Sequence, residues 1–439
     1  MSSGISPIDP LTRVARRART AARRLAVLPV ETRNAILLAA AAEIENRCKE
    51  ILAANERDCE AAQEEIKACR MTQALFDRLQ TTARGVSDMA AKVRAVAQLP
   101  DPLGQRFAAT EIDEKLMLQK VSCPLGVIGI VFESRPDVIP QVSALCLKSG
   151  NAVLLKGGTE AAHTNHMLAH IWRDTLAEFN GELVDAVSLL RTREDVSAML
   201  ELRGLIDLVI PRGSKTFVDY IATHSSVPVL GHGEGICHIY VDQQADLEKA
   251  WNVAFDAKTN YPAACNSVET LLVHEAIATQ FLPEMISRFQ AAAVAVRGCK
   301  YTRELLGDKS IVAATDEDWT TEYSNLIIAV KVVSSFDEAI AHIDQYGSKH
   351  TEAIITEDRA TAERFMELID AAGVYHNAST RFADGFRYGL GAEIGISTSK
   401  LHARGPVGLE GLVTYKYKLF GDGHTVGKYK AKGQSRGEK

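Results

Sequence analysis

From residue 32 to about residue 96, apolar positions such as Ile36, Leu37, Ala40, Ile44 and Ile51 recur three, four or seven apart amid Glu, Lys and Arg. That is the spacing of one buried stripe on a 3.6-residue helix, and it predicts a helical layer. Residues 100–103 form a turn, after which Leu116, Leu118 and their neighbours alternate like a strand, one that could serve as an exposed arm between subunits. The periodicity changes at Val127. Short apolar strands are predicted over 127–132, 152–156, 186–190 and 206–210, separated by helix-length segments such as 138–147 and 162–179. Repeated βαβ of this kind implies a parallel sheet covered on both faces. After a glycine-rich break at Gly231, Gly233 and Gly235, a second set of strands follows over 236–241, 268–273, 326–330, 351–356 and 373–376. The predicted fold class is α/β, with two parallel-sheet lobes.

A chain of 439 residues is too long for one ordinary core, which agrees with two lobes and a cleft between them. A hydrophobic fraction of 46% without any long apolar run predicts no membrane span. A formal charge of -6 argues against a duplex-binding surface, so nucleic acid is not an expected partner. The 8 cysteines are too dilute for a disulfide framework and include no CxxC pair that would suggest zinc. A reducing, cytoplasmic setting and no metal are expected. Cys123 and Cys146 sit among apolar neighbours and read as small core residues. Arg13, Arg16, Arg17, Arg19, Arg23 and Arg24 lie in an Ala-rich, acid-free stretch. It reads as a first helix with a basic face, with organelle targeting as the alternative. Residues 427–439 read as a polar, frayed tail.

Three loops carry candidate chemistry. Tyr261-Pro262-Ala263-Ala264-Cys265-Asn266-Ser267 falls between a helical stretch and the strand that starts at Val268. Small residues leave the sulfur open to attack a carbonyl, and nearby backbone N–H groups can hold the oxyanion. By neighbourhood alone, Cys265 reads as readily as an incidental loop thiol. Lys156-Gly157-Gly158-Thr159-Glu160 follows a strand directly, at the edge where open α/β sheets bind nucleotides. A lysine there can meet a ribose or its 2′-phosphate. Pro211-Arg212-Gly213-Ser214-Lys215 repeats the arrangement, with Gly213 allowing close approach to a pyrophosphate at a helix start near Ser214. Neither loop is the GxGxxG fingerprint, and each alone could be a surface turn.

The order of longer motifs is more specific. Cys123-Pro124-Leu125-Gly126-Val127-Ile128-Gly129, Phe132-Glu133-Ser134-Arg135-Pro136 and Leu155-Lys156-Gly157-Gly158 come first. Pro211-Arg212-Gly213-Ser214, Gly231-His232-Gly233-Glu234-Gly235-Ile236-Cys237-His238 and Ala403-Arg404-Gly405-Pro406-Val407-Gly408-Leu409-Glu410-Gly411-Leu412 follow. From about residue 13 to about residue 425 the chain resembles the gamma-glutamyl phosphate reductases, a proline-biosynthesis family of the aldehyde dehydrogenase superfamily. The resemblance implies that Cys265 displaces phosphate from L-glutamyl 5-phosphate to form a thioester. Hydride from NADPH then yields glutamate 5-semialdehyde. Lys156, with Gly157, falls at the adenosine-ribose position, Gly213 and Ser214 fall in the pyrophosphate loop, and Glu393 resembles the glutamate that orients the nicotinamide ribose.

Two departures from oxidising members of the superfamily bear on direction. The position of their water-activating glutamate falls near Gly231, and a reductase gains by keeping water off its thioester. Glu234 lies three residues on and could reach the site. Arg135 falls at or beside their oxyanion-holding asparagine, where it would pair with the substrate phosphate or else form an ion pair with Glu133. Asn266, Ser379, Thr380 and Arg381 are the remaining expected substrate contacts, with His350 as a weaker one. The expected organisation is a cofactor lobe over 1–230 with an oligomerisation arm at about 108–122, a catalytic lobe over 231–395, and a return segment with a pairing strand and tail over 396–439. A homo-oligomer is expected, and an upstream glutamate 5-kinase is a partner to consider. The rival readings are an oxidative NAD-dependent aldehyde dehydrogenase and a catalytically idle oligomeric scaffold.

Overall fold

The computed structural model describes residues 9–428 except 134 and 232. Residues 429–439 of the expected polar tail, like Ser134 and His232 of the quoted motifs, lie outside the described residues.

The arginine-rich start is a helix, Pro10–Leu25, begun by Pro10 and capped by Asp9, whose carboxylate accepts the N–H groups of Leu11 and Thr12. Its buried stripe is Leu11, Ala15, Ala18, Ala21, Ala22 and Leu25. Alanine lets the helix sit close to the body, while the arginines point outward. Arg19 pairs with Asp207 at 3.0 Å and Arg17 with Asp185 at 3.1 Å. The helical pattern that follows becomes Val30–Asn46, Cys48–Lys67, the short Gln73–Leu79 and Ala83–Gln98. Lys148 holds this layer to the first lobe. Its buried ammonium donates to Asn34 Oδ1 at 2.6 Å and to Ala97 O at 3.0 Å.

Val127–Phe132, Ala152–Lys156, Val187–Leu189 and Leu208–Arg212 form a 4-stranded parallel sheet in which Val127–Phe132 lies between Ala152–Lys156 and Leu208–Arg212. The last strand runs two residues beyond its expected end, so Arg212 pairs opposite Phe132. The apolar run stops at Ile210, but the ladder does not need apolar side chains. Asp207 starts the strand instead, accepting the Val127 N–H at 2.8 Å.

The second lobe holds a 7-stranded sheet. Val268–His274 lies near its middle, between Ile327–Val333 and Cys237–Val241, with Thr351–Ile355 and Gly373–His376 beyond the latter. Ala295–Gly298 and Val312–Ala313 extend the other edge. Both escaped the sequence reading because they are very short and carry exposed or polar positions.

Arg106–Asp113, Leu116–Pro124 and Val413–Phe420 make a separate antiparallel sheet. Tyr415, Tyr417, Leu419 and Phe420 are exposed on the last strand, and Lys120 lies over the Tyr415 ring at 3.7 Å. Among the described residues, no helix is long and apolar enough to cross a membrane.

One buried ion pair orders the middle of the second lobe. Lys258, in the last turn of the helix Leu247–Thr259, reaches Glu269 Oε2 at 2.7 Å, and both side chains are essentially inaccessible. Removing one partner strands the other charge in a dry interior. Lys258→Ala is expected to lower the unfolding free energy by about 3–5 kcal/mol, while Lys258→Met with Glu269→Leu recovers most of that loss. Urea and thermal unfolding of the three proteins check this, and a fully stable single variant contradicts it.

Candidate active site

The loop that carries Cys265 is clamped at both ends. Lys258 Nζ donates to Val268 O at 3.0 Å as well as to Glu269, and Ser267 Oγ donates to Ala257 O at 3.2 Å. Within the loop, Ala264 N donates to Tyr261 O and Ser267 N to Ala264 O, a pair of tight turns entered through Tyr261 at φ 61°. The segment leading into Cys237–Val241 presses on the cysteine from behind. A Cβ at Gly235 would lie 1.8 Å from Cys265 O, so only glycine fits there. Cys237 Sγ donates to the same carbonyl at 3.4 Å.

Burial pushes the Cys265 thiol up to about 12; Glu322 and Glu393 push it further, and Arg212 and Arg381 oppose them. The thiol of the free protein is therefore protonated at neutral pH. Burial also raises Glu393 to about 7, against the Gly385 N–H, which donates to Glu393 Oε2 at 2.9 Å, and against Arg212 and Arg135. Arg212 is lowered to about 10, first by burial and then by Arg135. Glu322 is raised by burial, with the Gly235 N–H opposing.

Arg212 and Glu322 are the two residues that the sequence reading missed. Arg212 had a usable signal, its place at the C-terminal end of a parallel strand. Glu322 had none, because it sits in a polar stretch ahead of Ile327–Val333.

On the cofactor-lobe side, Lys156 borders a cavity of about 360 Å³ lined also by Gly157, Thr159, His163, His166 and Arg191. The lysine is buried and donates to Gly157 O at 2.5 Å, and burial lowers its pKa. Gly213 and Ser214 open the helix Lys215–His224, as expected for an anion site. The Ser214 N–H donates to Glu133 Oε2 at 3.3 Å, and a Cβ at Gly213 would lie 2.7 Å from that oxygen. The Glu133–Arg135 ion pair, the alternative to a phosphate role for Arg135, does not form. Glu133 turns to the positive end of the helix, while Arg135 Nε lies 3.6 Å from Asp137 Oδ1.

The expected substrate contacts separate into two groups. Arg381 lies within electrostatic reach of Cys265, with its Nε donating to Asn260 O at 2.6 Å. Thr380 follows Ser379, whose Oγ accepts the Arg381 N–H, and the Thr380 hydroxyl is buried without a partner among the described residues. Asn266 is buried and spends its Nδ2 on Ala383 O at 2.7 Å, tying the cysteine loop to this segment. His350 is buried against Thr351 Oγ1 at 2.9 Å and Cys237 Sγ at 3.8 Å, beneath the loop. Glu234 is engaged by Lys215 at 2.7 Å, and the open side of Gly231 faces Pro211.

This arrangement has close relatives. Residues 9–297 match the aldehyde dehydrogenase family. The chain is 52% identical over 98% of its length to the gamma-glutamyl phosphate reductase of a Cyanothece species, covering 97% of that protein. It is 54% identical over 94% of its length to that of Natronomonas pharaonis, covering 93% of it. The crystal structure of gamma-glutamyl phosphate reductase from Thermotoga maritima superposes with a TM-score of 0.91 at 42% identity, over 95% of this chain and 100% of that one. The chain therefore belongs to the gamma-glutamyl phosphate reductases, oxidoreductases of the aldehyde dehydrogenase family.

Proposed function

We propose that this protein reduces L-glutamyl 5-phosphate to glutamate 5-semialdehyde, releasing phosphate, with Cys265 as nucleophile and NADPH as reductant in proline biosynthesis. The observation that carries the reading is the meeting of two strand-end constellations on one cleft. Cys265 comes from the second sheet, and Arg212 with the Gly213 loop from the first, within electrostatic reach of each other.

The residues present fit a nicotinamide dinucleotide. Gly157 lines the cavity, where its missing Cβ makes room for Asn165 Nδ2, Gly213 lets Glu133 pack against the helix start, and Lys156 supplies a cation beside the cavity. Thr159, His163 and Arg191 on the same wall suit a 2′-phosphate, which favours NADPH. Two carboxylates that flank the sulfur, Glu393 and Glu322, are available to the nicotinamide ribose hydroxyls. When bound, the cofactor supplies the hydride.

This chain's own groups do the rest. The thiol must lose its proton as it attacks, and Arg212 and Arg381 favour the thiolate that burial opposes. Sulfur bonds to the acyl carbon and phosphate departs, leaving a thioester in a poorly hydrated pocket. Gly231 offers no side chain to activate water there, which favours reduction over hydrolysis. Arg381 and the hydroxyls of Ser379 and Thr380 suit the α-carboxylate of the substrate, and Arg135 its phosphate. The exposed aromatic strand Val413–Phe420 suits a contact between subunits of a homo-oligomer. Eight free thiols suit the cytoplasm.

Run in reverse, the wild type should oxidise glutamate 5-semialdehyde with NADP+ only when phosphate is present. Cys265→Ala should lose about 10³-fold or more of that rate. Phosphate-independent oxidation, or activity surviving in the variant, would overturn the reading. Iodoacetamide labelling of Cys265 in the free protein should keep accelerating with pH to at least about pH 10, since a buried thiol ionises late. A plateau near neutrality would contradict the electrostatics described above. Replacing Tyr417 and Leu419 together with lysine should shift the protein to smaller species in sedimentation; an unchanged profile excludes this strand from the interface.

A further inference from the structure

We infer that Arg212, together with Arg135, forms the pocket that grips the phosphoryl group as it leaves the acyl carbon. This rests on the acyl-phosphate chemistry proposed above and assigns it a residue that nothing else in the reading employs for substrate binding.

Arg212 ends the strand Leu208–Arg212 directly opposite Phe132. The chain leaving Phe132 brings Arg135 to the same sheet edge. Arg135 thus comes within electrostatic reach of Arg212 and disfavours charge on it. Arg135 is half-exposed and leans on Asp137, whereas Arg212 is partly buried. Gly395 keeps the space beside it open, since a Cβ there would approach Arg212 Nε only to 3.8 Å. Among the described residues, no carboxylate or carbonyl hydrogen-bonds to the Arg212 guanidinium; its charged neighbours are Arg135, Asp137, Glu393 and Cys265. Glu393 is a weak counter-ion, because burial holds its carboxyl near half-protonation at neutral pH.

A partly buried guanidinium without a hydrogen-bonding acceptor, with a second guanidinium in electrostatic reach, favours an anion between the two, and a doubly charged tetrahedral oxyanion suits two planar forks better than a carboxylate does. Position selects the phosphate over the α-carboxylate of the same substrate. The phosphate hangs from the carbon that sulfur attacks, so it must lie beside Cys265, as Arg212 does. The α-carboxylate lies several bonds away, toward Arg381. In the step itself the S–C bond forms and the C–O bond to phosphate breaks. The oxygen leaves with the electron pair and takes up the thiol proton, giving hydrogen phosphate. Arg212 stabilises the charge that gathers on that oxygen.

The reverse reaction reads this directly. With phosphate varied, Arg212→Gln should raise the phosphate KM by about tenfold or more while leaving the KM for semialdehyde and NADP+ within about twofold. Arg212→Lys should fall between, keeping the charge and losing the fork. In the wild type, inorganic phosphate should slow iodoacetamide labelling of Cys265, and equal ionic strength of chloride should not. A phosphate KM unchanged in Arg212→Gln, or a semialdehyde KM that moves equally, overturns the assignment. Should Arg212→Gln fail to fold, absence of phosphate protection in the wild type overturns it just as well. If the wild type needs no phosphate, the acyl-phosphate reading itself fails; if it needs phosphate but Arg212→Gln is indifferent, only this pocket fails.

Discussion

The buried bond between Lys258 and Glu269 is the constraint on which the site depends. It joins the end of one helix to the start of the central strand, and the cysteine loop spans the gap between them. Loops are ordinarily the mobile part of an α/β lobe. Here the loop's two ends are fixed by a charge-assisted bond, by the Val268 carbonyl and by the Ser267 hydroxyl, so the sulfur inherits the rigidity of the sheet. Dryness comes with this rigidity. The same desolvation that raises Glu269 to about 7 acts on Cys265 and Glu322 close by. A protein that needed an always-ionised thiolate would not place it there. A thiol placed there ionises only with the help of nearby cations, here Arg212 and Arg381.

The two sheets contribute unequal halves of the chemistry. The second carries the candidate nucleophile, Cys265, and holds it by packing, with Gly235 and Cys237 pressed under the Cys265 carbonyl. The first supplies cations at its strand ends, Lys156 closing one strand and Arg212 another. Glu133 connects these roles. It leaves the strand Val127–Phe132 and turns to the Ser214 N–H, so a carboxylate stands at the helix start where a pyrophosphate is expected. A dinucleotide bound there would compete with Glu133 for that N–H group. The sign of charge suited to the position is already expressed by the protein itself.

Much of this was legible in the chain. Period-2 and period-3.6 patterns located the parallel strands and helices, because strands buried on both faces must be apolar throughout. They failed for Arg106–Asp113, whose side chains are almost all exposed, and for the short edge strands Ala295–Gly298 and Val312–Ala313, where partner geometry rather than side-chain pattern decides pairing. Cys265 could be named from ordered motifs, but its environment could not. Arg212 stood inside a quoted motif and was passed over for the glycine beside it, since nothing in one dimension says that a strand continues to its guanidinium. Glu322 comes within electrostatic reach of the cysteine from the loop ahead of Ile327–Val333, a strand that neighbours Val268–His274 in the sheet but lies far along the chain. A Glu133–Arg135 pair was one of two open readings, and a helix end brought from 81 residues away took the carboxylate instead.

The direction of the reaction follows from what surrounds the thioester rather than from any one group. Hydrolysis needs a base, a water and room for both. The carboxyl groups near the sulfur, Glu322 and Glu393, each face a backbone N–H, from Gly235 and Gly385, and each is raised by burial. A carboxyl held in this way is partly neutral and partly engaged, which makes it a poor activator of water and an acceptable partner for sugar hydroxyls. Arg212 and Arg381 are also within electrostatic reach of the sulfur, and such cations stabilise a departing anion in the proposed reaction. If the proposed acyl group forms on Cys265, these surroundings favour its exchange with phosphate over its loss to water, and reversibility toward phosphate is the physical signature to look for.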